Sequence, residues 1–225
     1  VAHFAYPFAV QLREMFNQNV ISREKLLFLH PDAGSVKRIG PAFRDALQTT
    51  LGIEGNPNKD TWPQIGKDRD KETNVSEAKE IRVDVKGMDV VVFDDIIDTA
   101  GTACDLAKSL KDAQARSVTL FAASAILTSK QKTNPAATVE FINQSALDYV
   151  FAMDMYNHTM TNKKVAHAVE QSPKIHSLGG GPYLGAIIKA IHMEIFEDTP
   201  VNANSISAIL RGRHSDQQGM AIPVP

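Results

Sequence analysis

Short apolar runs alternate along the chain with segments in which apolar residues recur every three to four positions. Six runs predict buried strands, at residues 26–31, 81–85, 90–93, 117–127, 147–154 and 174–178. Three segments have helical spacing, at residues 36–51, 101–112 and 183–196, and Pro41 predicts an early turn or kink in the first of them. Strands separated by helices predict an α/β fold with a mostly parallel sheet covered by helices.

The remaining segments suggest how the chain is organised. Residues 52–74 are rich in Gly, Pro, Asn and charge, which predicts a long mobile loop with one short apolar strand near Ile65. We expect residues 1–20 to be an N-terminal stub, the remnant of a missing upstream domain. Residues 21–210 would then form a single domain, followed by an irregular tail at 211–225.

Composition excludes several classes of function. The 24 basic and 26 acidic residues give a net charge of −2 with interspersed signs, so neither nucleic acid nor an anionic membrane is an expected partner. No apolar run reaches the roughly 20 residues of a membrane span. The single cysteine, Cys104, cannot form an internal disulfide and fits a reducing, cytoplasmic setting. A small packed residue is the preferred interpretation of Cys104, ahead of a reactive thiol at a helix N-terminus.

The stretch VVVFDDIIDTAGTACDLAKSL, residues 90–110, contains the candidate chemistry. Its strand delivers Asp94 and Asp95 to the carboxyl edge of the sheet, where open α/β sheets bind ligands. The turn that follows offers unpaired backbone N–H groups, threonine hydroxyls and the positive end of a helix dipole. Carboxylates accept hydrogen bonds from vicinal hydroxyls and the turn suits a phosphate, so a sugar phosphate fits both. The alternative is that Asp98 and Thr99 merely cap the helix.

This stretch resembles the phosphoribosyl-pyrophosphate motif shared by type I phosphoribosyltransferases and ribose-phosphate pyrophosphokinases. The resemblance implies a type I phosphoribosyltransferase-like fold, with Asp94 and Asp95 on the ribose hydroxyls. The 5-phosphate would be held by the turn, namely Asp98, Thr99, Ala100, Gly101 and Thr102.

The flanking segments resemble the pyrophosphokinases, also called phosphoribosyl-pyrophosphate synthetases. HPDAGSVKRIG, residues 30–40, is similar to a segment in which an aspartate, here Asp32, helps to hold magnesium. In residues 66–102, Lys67 and Arg69 fall on the lysine and arginine of the family's catalytic loop. Such cations would stabilise the charge that builds up during diphosphoryl transfer. On residue type alone, Asp32 could be a turn residue and Lys67 and Arg69 part of a solvated charge run.

The resemblance covers roughly residues 20–210, the second half of a synthetase. It implies a Mg²⁺-dependent, homo-oligomeric ribose-phosphate diphosphokinase that transfers diphosphate from ATP to ribose 5-phosphate. We find no segment for the family's adenine-nucleotide residues, so this chain alone is expected to be incomplete for ATP binding. Two alternatives stay open, a type I phosphoribosyltransferase that uses phosphoribosyl pyrophosphate and a non-catalytic regulatory subunit.

Overall fold

The structure, a computed structural model, describes residues 4–30, 33–53, 83–154 and 162–181, together with Gly185 and Ile188. Its helices are α1 (Ala5–Asn17), α2 (Ala33–Leu51), α3 (Gly101–Asp112), α4 (Ala137–Gln144) and α5 (Lys163–Glu170), and a short 3-10 turn spans Arg23–Lys25. Its strands are β1 (Leu26–Leu29), β2 (Asp89–Ile97), β3 (Ser117–Ala125), β4 (Tyr149–Met153) and β5 (Ile175–Leu178).

The five described strands form one sheet in the order β1-β2-β3-β4-β5, and every neighbouring pair is parallel. Helices follow β1, β2, β3 and β4, as the crossover between parallel strands requires. The predicted α/β class with a parallel, helix-covered sheet is confirmed. Within the described part of the chain, no helix is both long and apolar enough to cross a membrane.

Element bounds differ from the sequence prediction in three places. Helix α2 begins three residues earlier than expected and continues through Pro41. The predicted strand at 81–85 is wrong for its described part, because residues 83–85 have no strand conformation. Residues 1–20 include a packed helix, since Phe8 and Leu12 of α1 are buried in the core. The predicted helix at 183–196, the loop at 52–74 and the tail at 211–225 lie largely or wholly outside the described residues.

A band of aromatic rings crosses the sheet on the face covered by α1 and α2. Phe93, Phe121 and Phe151 are partners in register on β2, β3 and β4, with ring centroids 5.8 and 5.1 Å apart. Phe8 of α1 lies 5.1 Å from Phe121, and Phe43 of α2 lies 3.7 Å from Phe93. Rings of this size bury large apolar areas, so the band joins both helices to the middle of the sheet.

The opposite face is aliphatic. Val90 and Val92 of β2 alternate with the residues of the aromatic face and pack in a cluster with Leu106 and Leu110 of α3. Val139 of α4 and Val165 of α5 join the same cluster. The central strand β2 is therefore buried on both faces, which explains its continuous apolar run.

A buried carboxylate forms hydrogen bonds at the amino-terminal end of β2 to the segments on both sides. Asp89 is fully buried and accepts hydrogen bonds from the Ser22 backbone N–H at 2.7 Å and the Ser117 hydroxyl at 2.6 Å. It also accepts from Arg116, through Nε at 2.7 Å and through Nη2. The hydrogen bond to Asp89 raises the pKa of the Arg116 guanidinium, which therefore stays charged. Asp89 thus joins the segments that lead into β1 and β3, and its burial is compensated by four donors.

The aromatic band predicts a large effect of truncating its central ring. Phe121→Ala should lower the free energy of unfolding by about 3–5 kcal/mol, because Phe121 is fully buried and contacts three other rings. Phe141→Ala is the matched control, since Phe141 is 43% exposed and should cost less than about 1 kcal/mol. Urea titration followed by circular dichroism measures both; equal losses would contradict a core centred on Phe121.

Candidate functional site

The two adjacent aspartates lie inside β2 and not beyond its end. The strand was expected to end at Phe93, but it pairs with β3 as far as Ile97 and Ala125. Burial changes along it, from a buried Phe93 to half-buried Asp94 and Asp95 and then to Ile96, which is 49% exposed. Because neighbouring strand residues project to opposite faces, the two carboxylates flank the carboxyl edge of the sheet on its two sides. The Asp94 Oδ1 atom also accepts a hydrogen bond from the Asp95 N–H at 2.9 Å.

The turn from β2 to α3 has an unusual backbone. Ala100 is the N-cap residue of α3 and adopts the left-handed conformation, with φ 61° and ψ 0°. A non-glycine residue with positive φ costs roughly 1–2 kcal/mol and is concentrated at functional sites. A left-handed residue next to helical ones turns successive N–H groups towards a common point and forms an anion-binding nest. Ala100 has this conformation directly before the first N–H groups of α3, where a nest would have to form.

The N-cap residue of α3 is neither of the two residues that the capping alternative names. The N-cap position belongs to Ala100, whose methyl group cannot accept a hydrogen bond, and not to Asp98 or Thr99. The N–H groups in the first turn of α3 thus have no acceptor from the N-cap side chain. A Cβ atom added at Gly101 would meet only Thr99 Oγ1, at 4.0 Å. Packing among the described residues therefore leaves room for a side chain at Gly101.

The loop after β3 lies against the same end of β2. The carbonyl oxygen of Ile97 accepts from the N–H groups of Ile126 at 2.8 Å and Leu127 at 3.3 Å. Leu127 is buried and also has a positive φ, 58°. Leu127 could not be predicted from the sequence, since nothing in the pattern of residue types marks a leucine that adopts this conformation. Its backbone N–H donates to the last residue of β2, directly before the turn at 98–100.

Cys104 packs inside the domain beneath this turn. The residue is buried, and burial raises the pKa of its thiol above the ordinary value. A buried, protonated thiol is a poor nucleophile, so the structure supports the interpretation of Cys104 as a packed residue. The N–H of Cys104 donates to the Ala100 carbonyl at 2.9 Å, which makes the first hydrogen bond of α3.

The other predicted site residues divide into two groups. Around the described turn, Asp98 and Thr102 are exposed, Thr99 and Gly101 are half-buried, and Ala100 is buried. Asp32, Lys67 and Arg69 lie outside the described residues, so their roles stay predictions. In the described ranges, no group of three or more His, Cys, Asp or Glu side chains is arranged to hold a metal ion.

Comparisons with known proteins point to one family. No family model matches the chain. The chain is 35% identical over 164 residues to the ribose-phosphate pyrophosphokinase of Helicobacter hepaticus. This alignment covers 72% of the chain and 42% of that protein. The chain is also 30% identical over 185 residues to the enzyme of the same name from Clostridium perfringens. That alignment covers 82% of the chain and 48% of the relative. The chain thus spans less than half the length of these curated relatives.

The fold agrees with the sequence comparison. The phosphoribosylpyrophosphate synthetase of Mycobacterium smegmatis superposes with a TM-score of 0.56 at 19% identity, over 82% of this chain and 50% of that one. The predicted resemblance to the ribose-phosphate pyrophosphokinases is confirmed, and the chain shares its fold with the synthetase. By sequence and by fold, the chain is a homologue of the ribose-phosphate pyrophosphokinases that matches about half of their length.

Proposed function

We propose that the chain is the ribose 5-phosphate-binding part of a ribose-phosphate diphosphokinase. The observation that carries the proposal is the left-handed N-cap at Ala100, five residues after the second of the half-buried Asp94 and Asp95, a backbone conformation that suits a nest of N–H donors. The nest suits a phosphate, and the carboxylates suit vicinal hydroxyls. Ribose 5-phosphate carries both groups at opposite ends of one small molecule. The relatives from Helicobacter hepaticus and Clostridium perfringens carry the name of this enzyme, which favours it over a nucleobase phosphoribosyltransferase.

The backbone, Gly101 and the two threonines of the turn each have a role in this proposal. The N–H groups at the start of α3 bind the 5-phosphate, and the helix dipole favours the negative charge there. Gly101 leaves the backbone open, because a side chain at that position would stand beside Thr99 Oγ1 where the phosphate enters. The hydroxyls of Thr99 and Thr102 supply further donors to the phosphate oxygens. Asp94 and Asp95 accept hydrogen bonds from the ribose hydroxyls and orient the anomeric hydroxyl away from the nest.

Magnesium fits the donors of this edge, since carboxylate and hydroxyl oxygens are the ligands that Mg²⁺ prefers. We propose that Asp32, from the segment between β1 and α2, helps to hold it. When bound, Mg²⁺ would neutralise the charge of the diphosphate oxygens.

The transfer reaction needs groups beyond the described site. We propose that Lys67 and Arg69 stabilise the diphosphoryl group as it passes from ATP to the anomeric oxygen, with release of AMP. Residues that hold the adenine nucleotide would belong to the other half of the complete enzyme. The resemblance to the family also supports a cytoplasmic, homo-oligomeric protein.

The carboxylates are tested by removing their charge. The double variant Asp94→Asn/Asp95→Asn should keep the fold and weaken ribose 5-phosphate binding by on the order of 2 kcal/mol or more, because charge-assisted hydrogen bonds are lost. Asp105→Asn/Asp112→Asn removes the same charge from exposed positions of α3 and should leave the affinity unchanged. Isothermal titration calorimetry measures both; an unchanged affinity in the first variant would refute the sugar-binding role.

The nest is tested at its strained residue. Ala100→Val should lower the free energy of unfolding by at least about 1 kcal/mol and weaken ribose 5-phosphate binding, since β-branched residues fit positive φ poorly. Ala100→Gly should keep both within about 1 kcal/mol of wild type. Gln114→Val is the control for strain alone, because Gln114 is exposed and has a φ of 65° away from the turn. If Gln114→Val weakened binding as much as Ala100→Val, the effect would be one of stability and not of the nest.

The catalytic cations are tested in the complete enzyme. Lys67→Ala or Arg69→Ala should lower kcat by at least roughly a hundredfold with a much smaller change in ribose 5-phosphate affinity, as expected for groups engaged in the transition state. Lys71→Ala, in the same charged run, is the matched control and should turn over normally. Wild-type rates in both test variants would remove the main support for diphosphoryl transfer.

A further inference from the structure

A polar cavity lies at the amino-terminal edge of the sheet, away from the candidate functional site. It has a volume of about 430 Å³ and opens between the end of α1, the turn before β1 and the residue before β3. This volume falls in the range of small-molecule sites. Its lining includes Phe16, Asn17, Asn19, Ser22, Arg23 and Arg116.

Arg116 presents spare donors to this cavity. Its Nε and Nη2 atoms bind Asp89, which uses two of the five N–H donors of the guanidinium. Asp89 in turn is fully buried and already accepts from Ser22 and Ser117. The side chain of Arg116 is 42% exposed, so its remaining donors can reach a ligand. The pair with Asp89 holds the guanidinium in place without covering it.

Arg23 contributes a charge that no carboxylate among the described residues neutralises. Its Nη1 atom donates to the Leu51 carbonyl at 3.3 Å, and its guanidinium stands over the Phe16 ring at 5.0 Å from the centroid. These contacts restrain the side chain and use one of its N–H donors. A restrained arginine with spare donors is well suited to bidentate recognition of phosphate oxygens.

The charge balance favours an anion. The lining contains two guanidinium groups, and among the described residues Asp89 is the one carboxylate bonded to either of them, through Arg116, which leaves one positive charge in excess. The end of α1 opposes this with a partial negative charge of about half a unit, which is smaller. The amide groups of Asn17 and Asn19 and the hydroxyl of Ser22 add neutral donors to the lining.

We propose that this cavity binds a phosphate-class anion, either inorganic phosphate or the phosphate group of a small organic ester, between Arg23 and Arg116. The site is separate from the sugar-phosphate site. Asp89 precedes Asp94 by five residues of the same strand, which corresponds to about 16 Å at the usual rise per residue.

The test follows the cavity directly by nuclear magnetic resonance. Inorganic phosphate, AMP and adenosine are titrated separately while the Arg116 Nε–H signal and the side-chain amide signals of Asn17 and Asn19 are recorded. We expect phosphate and AMP, but not adenosine, to shift these signals to saturation. A tighter midpoint for AMP would identify an ester as the preferred ligand, and equal midpoints would identify phosphate alone. Signals that do not move with either anion would overturn the proposal.

Substitution of Arg23 provides a second test of the anion site. Arg23→Gln should raise the phosphate concentration at the midpoint of the titration at least tenfold. Arg23→Lys should raise it less, because lysine keeps the charge but not the planar fork of donors. Arg13→Gln, an exposed residue of α1 outside the cavity, is the matched control and should not change it. An unchanged midpoint in Arg23→Gln would also overturn the proposal. In the variant Asp94→Asn/Asp95→Asn, the Arg116, Asn17 and Asn19 signals should still shift on addition of phosphate. The anion site and the sugar-phosphate site can therefore fail independently of each other.

Discussion

The burial of β2 on both faces is the constraint on which the rest of the structure depends. Aromatic side chains from α1 and α2 cover one face, and aliphatic side chains from α3, α4 and α5 cover the other. A strand in this position can carry polar side chains only near its ends. Asp89 occupies one end, where four donors satisfy it, and Asp94 and Asp95 lie near the other, where solvent is accessible. The two polar regions of the domain are thus consequences of one buried strand.

The two ends of β2 use their carboxylates differently. Asp89 is engaged by protein donors from both neighbouring segments, so its role is structural. Near the other end, the protein supplies a strained turn and half-buried carboxylates. Strain at Ala100 and Leu127 persists because the buried strand and the Ile97 carbonyl hold both loops in place. The stability of the core is therefore what keeps the turn at 98–100 in its shape.

Much of this fold could be predicted from the sequence, because apolar periodicity reports burial directly. Helix α3 has the predicted bounds, and the strands that contain 90–93 and 117–125 were found by their apolar runs. The length of β2 could not be predicted in this way, since parallel pairing with β3 continues past Phe93 through charged residues. The left-handed backbones of Ala100 and Leu127 depend on tertiary contacts and have no signature in residue type. The two arginines of the amino-terminal cavity are far apart in sequence, so only the fold brings Arg23 and Arg116 together.

The central claim is that the turn after β2 holds the phosphate and the strand holds the sugar of one ligand. A crystal structure of the chain soaked with ribose 5-phosphate tests this most directly. The account predicts that the phosphate lies on the N–H groups at the start of α3, with Gly101 and Thr102 in contact, and that the ribose hydroxyls donate to Asp94 and Asp95. A sugar phosphate bound with its phosphate away from this turn, or with its hydroxyls away from both carboxylates, would contradict it.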